Sequence, residues 1–208
     1  MIAIIDYGAG NLNSVCKALK KIGAEVMITS DPVDINTCSA MILPGVGSFG
    51  AAILKLKELG LDKAIKENVA KGKPLLGICL GMQLLFDRSY EDGNWEGLGL
   101  IGGEVIKFSD PRLKVPHMGW NQLILNKNDD IGLDIGQGEY AYFIHSYYAL
   151  PKEEDDVIFY TEYGIHVPAL VRKGPVIGMQ FHPEKSAETG IKLLKNFIGI
   201  VKKTEINL

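Results

Sequence analysis

The stretch PLLGICLGMQLLF, residues 74–86, decides how the chain is read. Its first part, Pro74–Cys79, is apolar and has the length of a buried strand, and Leu80 to Phe86 carries a helical stripe. Between them, Gly77-Ile78-Cys79-Leu80-Gly81 places a nucleophile between two glycines, each one residue removed. A strand that turns sharply into a helix over such a pentapeptide pushes the central side chain up at the strand end, and the glycines let the backbones approach closely. Cys79 then stands at a helix N-terminus, where the dipole and free N–H groups favour a thiolate, and the N–H of Leu80 can meet an oxyanion. The competing reading is a buried core cysteine. That reading is preferred for Cys16, on the apolar stripe of a helix, and for Cys38, which precedes a strand.

Upstream of this stretch, short apolar runs alternate with amphipathic segments. Ile2–Ile5 reads as a strand ending at Asp6, Leu12–Ile22 as a helix stopped by Gly23, Glu25–Thr29 as a strand, and Ala40–Leu43 as a strand cut off by Pro44. Helical spacing runs over 51–59 and 61–70. Such alternation predicts parallel βαβ units with right-handed crossovers. Downstream the pattern changes. Val105–Phe108, Asn121–Leu125, Ala141–His145, Val157–Tyr163, Pro168–Arg172 and Val176–Gln180 read as short strands with few helices between them, which predicts an antiparallel or mixed region. Gly174-Pro175 marks a hairpin turn, and Lys152–Asp156 a solvated acidic loop. Ala187–Val201 has helical spacing and should pack back on the sheet. The whole is read as one α/β domain, residues 1–208, with an added β-region.

Composition removes several function classes. The 208 residues hold 22 Lys and Arg against 25 Asp and Glu, a net charge of −3, and no Lys/Arg run exceeds two, so a strongly basic nucleic-acid footprint is absent. Three cysteines without CxxC or ligand spacing predict neither a disulfide scaffold nor a metal site, and suit a reducing cytoplasm. The N-terminus lacks a signal-peptide pattern, and no apolar run approaches the ~20 residues of a membrane span.

A thiol nucleophile needs a base. His182 lies in Gln180-Phe181-His182-Pro183-Glu184, directly after a strand, where sites collect at one sheet edge. If Pro183 keeps the chain extended, His182 and Glu184 project to the same side. The carboxylate can then fix the ring tautomer and leave the other nitrogen for Cys79. A strand-capping histidine followed by a helix-opening glutamate is the alternative. His117 and His145, among apolar and aromatic neighbours, read as structural, and His166 as exposed. Pro44-Gly45-Val46-Gly47-Ser48-Phe49-Gly50 spells G-x-G-x-x-G from Gly45, but no acidic residue ends the next strand, so a dinucleotide site is disfavoured. Backbone donors facing Cys79 from the adjacent strand fit better, and a plain strand–helix turn remains the alternative.

Taken together, Pro44–Gly47, Gly77–Gly81 and His182-Pro183-Glu184 resemble the class I (triad) glutamine amidotransferases. Asp6–Leu12, Pro116–Asn121 and Tyr142–Tyr147 are similar to one branch, the glutaminases that serve imidazole glycerol phosphate synthase in histidine biosynthesis. The resemblance implies a flavodoxin-like three-layer α/β/α fold with a mostly parallel central sheet and an antiparallel addition. It implies glutamine hydrolysis through a Cys79 thioester, with His182 moving the proton, Glu184 orienting it, and an oxyanion hole from Leu80 and Val46 or Gly47. Gly45, Gln83, Glu91, Ser146 and Tyr147 match substrate-contacting positions. Asn11, Asn13, Met118, Trp120, Tyr142 and Lys185 match a face that docks on a (βα)8-barrel cyclase, giving a heterodimer through which ammonia passes. No cofactor or metal is implied. Trp120 alone would be read as core; the resemblance moves it to the interface. The rival readings are another amidotransferase branch, a partner-independent cysteine hydrolase, and a non-catalytic module.

Overall fold

Apolar β-branched and leucine-rich runs are stable as strands only where both faces are covered, and the centre of the sheet is built from them. The computed structural model of the chain describes residues 1–206. The first half comprises β1 (Ile2–Ile5), α1 (Leu12–Lys21), β2 (Val26–Thr29), α2 (Pro32–Thr37), β3 (Ala40–Gly45), α3 (Phe49–Glu58), α4 (Leu61–Ala70), β4 (Leu75–Cys79) and α5 (Leu80–Leu84). The second half holds β5 (Phe86–Ser89), β6 (Trp95–Glu96), β7 (Ile101–Lys107), β8 (His117–Gln122), β9 (Ile124–Leu125), β10 (Tyr140–His145), β11 (Tyr147–Pro151), β12 (Val157–Glu162), β13 (His166–Lys173), β14 (Val176–Met179) and α6 (Ala187–Ile206).

The main sheet has eight strands in the order β2-β1-β3-β4-β14-β13-β12-β9. From β2 to β14 all pairings are parallel, and from β14 outward they are antiparallel. Alternate residues of each strand enter different cores. Ala3 and Ile5 pack with α2, α3, α4 and the smaller sheet, while Ile2 and Ile4 pack with α1, α6 and the β8–β10 ribbon. That division is the three-layer α/β/α arrangement. The smaller sheet runs β11-β7-β5-β6, and β8 with β10 forms a two-stranded ribbon.

Several boundaries differ from the sequence reading. Pro44 does not end β3: the strand continues to Gly45, with Pro44 beside Ile78 and Gly45 beside Cys79. Met41 N–H donates to Pro74 O on the β4 side, so by alternation the nitrogen of Pro44 faces β1, whose pairing has already ended at Ile4–Ile42. The missing donor therefore costs no ladder bond. The helix after Cys79 stops at Leu84, because Leu85 and Phe86 are both buried and Phe86 opens β5 against Ile101. β7 starts at Ile101, ahead of the expected Val105, running through Gly103. A Cβ there would overlap the Leu150 carbonyl oxygen, which only glycine avoids. The expected strand 121–125 is two strands: β8 lies in the ribbon, and β9 joins the edge of the main sheet beyond buried Leu123. α2 is an additional helix, started by Asp31, whose side chain accepts from Val33 N at 2.8 Å, with Pro32 at the first helical position.

Candidate active site

The parallel register brings three strand ends to one edge. Gly45 lies beside Cys79, and Ile78 beside Met179, so Val46-Gly47, Cys79 and the segment after Met179 emerge together. At the end of β4 the chain makes its sharp turn on a non-glycine residue: Cys79 has φ +56° and ψ −111°. Side chains with a Cβ seldom hold such a conformation, and the packing must enforce it. The enforcing contacts are backbone to backbone. A Cβ on Gly81 would overlap the Leu43 carbonyl oxygen, and one on Gly77 would sit 2.6 Å from the Gly81 oxygen. Leu80 opens α5, so its N–H is among those without an intrahelical acceptor.

His182 lines the same pocket as Cys79 and, through Nδ1, meets Glu184 Oε1 at 2.9 Å; the His182 and Glu184 side chains are 4% and 1% exposed. Burial alone would discharge the ring. The hydrogen bonds and negative charge supplied by Cys79 and Glu184 outweigh it and raise His182 to about 9. His182 itself is extended, as Pro183 favours, but the chain then enters a 3-10 turn over Pro183–Lys185. Glu184 therefore reaches the imidazole from a tight turn, where the sequence reading had an extended chain. Ser186 locks this turn: its hydroxyl donates to the His182 carbonyl at 2.7 Å and accepts from Tyr142 N at 2.9 Å.

A pocket of about 330 Å³ opens beside these groups, walled by Val46, Gly47, Leu80, Gln83, Glu91, Ser146 and Tyr147 as well as Cys79 and His182. Gly45 is set back from that wall: a Cβ there would lie 2.6 Å from the Tyr7 hydroxyl oxygen and 2.8 Å from Gly81 N. Glu91 is anchored, its carboxylate accepting from Phe49 N at the start of α3; burial nevertheless pushes its carboxyl up.

Two further residues join the site. Gln180, fully buried, donates through Nε2 to Cys79 Sγ at 3.8 Å and accepts on Oε1 from Gln83 Nε2 at 3.0 Å. Gln83 Nε2 also donates to Tyr147 O at 2.9 Å. Both of its hydrogens are thereby used, and its oxygen remains as the acceptor. A lone amide closing the apolar run Val176–Met179 is the sequence signal for Gln180. His145 also lines the pocket. Its Nδ1 is 2.8 Å from Tyr147 O, and its Nε2 is 3.0 Å from His117 Nδ1; His117 Nε2 is in turn 3.2 Å from Asn121 Nδ2. This fixes one directional chain in which both rings are neutral. Burial accordingly lowers His117 to about 4 and His145 to about 3. His166 is exposed and pairs with Glu162.

The β8–β10 ribbon turns one face inward and the other outward. Phe143, His117 and His145 are buried, while Met118, Trp120, Tyr140 and Ile144 are exposed, Trp120 by 54%. Trp120 meets Tyr142 edge-on at 6.1 Å, and Lys185 Nζ lies 5.9 Å from the Tyr142 ring centre. Asn11 precedes α1 without capping it, exposed Asn13 lies in its first turn, and α1 packs on the Pro183–Lys185 turn. Tyr142 and Lys185 thus lie beside the turn that carries Glu184, Asn11 and Asn13 at the start of the helix packed on that turn, and Met118 and Trp120 on the outer face of the ribbon. Among the described residues no group of three or more His, Cys, Asp or Glu is placed to hold a metal ion, and no helix is long and apolar enough to cross a membrane.

The family model described as glutamine amidotransferase class-I matches residues 3–200. A relative from Caldanaerobacter subterraneus, named imidazole glycerol phosphate synthase subunit HisH, is 51% identical over 202 residues, 97% of this chain and 99% of its own. A relative of the same name from Methanothermobacter thermautotrophicus (48% identical over 202 residues, 97% of this chain and 100% of its own) and one from Campylobacter jejuni named imidazole glycerol phosphate synthase subunit HisH 1 (51% over 199 residues, 95% and 98%) are similar throughout. In solved structures the fold recurs in a glutamine amidotransferase, with TM-score 0.77, 20% identity, and 97% and 100% of the two chains covered. It also recurs in PurLQS from Thermotoga maritima, with TM-score 0.76, 21% identity, and 96% and 98% covered.

Proposed function

The chain belongs to the class I glutamine amidotransferase family, and from that footing we propose how its residues carry out the work of the glutaminase subunit of imidazole glycerol phosphate synthase. Glutamine enters the pocket beside Cys79. The Sγ attacks the side-chain amide carbon, and the developing oxyanion is met by the N–H of Leu80 and by one from Val46 or Gly47. His182 donates its proton to the departing nitrogen, and ammonia leaves with a glutamyl thioester remaining on Cys79. The imidazole then takes a proton from water, which attacks the thioester; glutamate is released and the thiol restored. Glu184 holds the ring by Nδ1 throughout and stabilises its charged form. Gln83, Glu91, Ser146 and Tyr147 position the substrate.

Ammonia lost to water as ammonium would be useless to a second active site. The exposed apolar face of the ribbon, with Asn11, Asn13, Met118, Trp120, Tyr142 and Lys185, is assigned to docking on a (βα)8-barrel cyclase in the cytoplasm, and ammonia passes directly into that barrel. A solvent-facing Trp within an apolar patch is the composition expected of an interface core. The whole chain acts as one domain without a cofactor. In the free chain the oxyanion donor of Gly45–Gly47 is turned away from the substrate, and docking turns it in.

The observation that carries this reading is the convergence of Cys79, on its positive-φ elbow, and the buried ion-paired His182–Glu184 at one pocket. Reconstitution with a cyclase subunit tests it. Glutamine-dependent product should form only in the complex, Cys79→Ala should abolish it, and ammonium salt should restore it. Rapid glutamine hydrolysis by the free chain would contradict the docking requirement.

A further inference from the structure

We propose that the Tyr7 hydroxyl is a positioning donor for the Gly45–Gly47 strand, holding a backbone carbonyl of that strand away from the catalytic pocket so that the attached N–H faces the oxyanion. This rests on the glutaminase reading above and names a residue which that reading leaves idle.

Tyr7 follows β1 and is 1% exposed, and its hydroxyl is a buried polar atom without a hydrogen-bond partner among the described residues. Such groups are rare in folded proteins and call for an explanation. Its location supplies one. The hydroxyl lies against Gly45, where any Cβ would come within 2.6 Å of it, and the elbow residues Leu80 and Gly81 meet at the same point. Val46 and Gly47 border two cavities at once. One is the catalytic pocket of about 330 Å³; the other, about 360 Å³, is lined on its far side by Tyr7, Gly8, Ala9 and Ser48. The strand is therefore a partition with open space on either side.

A trans peptide points its C=O and N–H in opposite directions. Any peptide of this partition that presents N–H to the catalytic pocket must present C=O to the second cavity. A carbonyl turned into protein needs a donor, and Tyr7 is the unpartnered donor lining that space. Gly47 has φ +96° and nothing within 4 Å of a built Cβ, so the segment has both the backbone freedom and the room to turn. Burial, with the nearby charge of Cys79, pushes the Tyr7 phenol far above its ordinary range, so it keeps its proton throughout neutral pH. The orphaned hydroxyl of the free chain is then a partner held ready for the working arrangement.

Tyr7→Phe removes this one oxygen and leaves the ring. In the complex with the cyclase subunit, kcat for glutamine hydrolysis should fall about tenfold with KM nearly unchanged, because the lost bond is made with the strand, not with bound glutamine. Thermal stability of the free chain should stay equal or rise, since an unsatisfied polar atom has been removed. A kcat equal to wild type would overturn the assignment. So would a lower kcat accompanied by a fall in melting temperature or by loss of the complex, which would mark Tyr7 as a packing residue. If the wild-type complex itself hydrolyses no glutamine, the glutaminase reading fails, and this inference with it; a wild-type complex that turns over while Tyr7→Phe matches it refutes this inference alone.

Discussion

Glu184→Gln tests the chemistry of the triad with little change of shape. The carboxylate meets His182 at 2.9 Å with both side chains buried, and His182 is raised from 6.5 to about 9. That rise is what remains after burial has acted against it, and Cys79 and Glu184 share the opposing work. Removing the Glu184 charge therefore takes away a substantial part of the net rise. At ~1.4 kcal/mol per unit, each unit of that rise is worth about tenfold in imidazolium stabilisation. The loss approaches ~10⁴-fold if the amide NH2 turns toward Nδ1 and imposes the wrong tautomer. Initial rates of glutamine hydrolysis by the reconstituted complex should fall by about tenfold or more, and the alkaline limb of the pH profile should move down from near 9. Stability offers a second readout. A histidine raised in the folded state contributes fully below 6.5, and the contribution is lost as pH rises through about 9. The variant should show a flatter stability curve in that window. Activity within about threefold of wild type, with an unmoved alkaline limb, would refute the reasoning.

Other perturbations follow from the same structure. Gly81→Ala should destabilise the chain by about 3 kcal/mol or prevent folding, because its Cβ overlaps the Leu43 carbonyl; a urea midpoint equal to wild type would show that the elbow relaxes freely. Trp120→Ala should weaken cyclase binding by ~2 kcal/mol, about 30-fold, and leave the melting temperature of the free chain almost unchanged, which titration calorimetry and thermal melts can separate. His117 and His145 are held neutral by burial, with values of about 4 and about 3, whereas the unfolded chain protonates them near 6.5. Stability should thus fall as pH drops below 6.5, at up to ~1.4 kcal/mol per pH unit for each ring; His182 adds almost no slope there, being charged in both states, whereas between about 9 and 6.5 it acts in the opposite sense. Denaturant melts at pH 6 and pH 5 should differ by about 2 kcal/mol; equal values would mean that the two rings are solvated.

The parts of the fold visible in the sequence are those where one physical requirement dominates. β1, β3 and β4 are buried on both faces, so their apolar runs are unbroken, and the elbow is visible because close backbone approach demands Gly77 and Gly81. Pro44 misleads because its cost depends on which neighbour its nitrogen faces, and that is a property of the sheet. β5, β6 and β11 are short and are assembled around β7, so no local period marks them. The meeting of Cys79, His182 and Glu184 at one sheet edge was legible from residue types and order, but the route by which Glu184 meets His182 was not, since a 3-10 turn replaces the extended chain. Gln180 carried a weak signal, an amide at the end of an apolar strand. Tyr7 carried none: an aromatic after a buried strand reads as core, and its idle hydroxyl is apparent only once Gly45 and the second cavity are placed beside it.

The central claim is that Cys79, alone among three cysteines, takes up the glutamyl group. Acid-quenching the cyclase complex during turnover with glutamine, followed by peptide mass spectrometry, tests it most directly. A glutamyl adduct is expected on the peptide carrying Cys79, with Cys16 and Cys38 unmodified and the adduct absent in Cys79→Ala. Steady turnover with no adduct on Cys79, or with one on either other cysteine, would contradict the account.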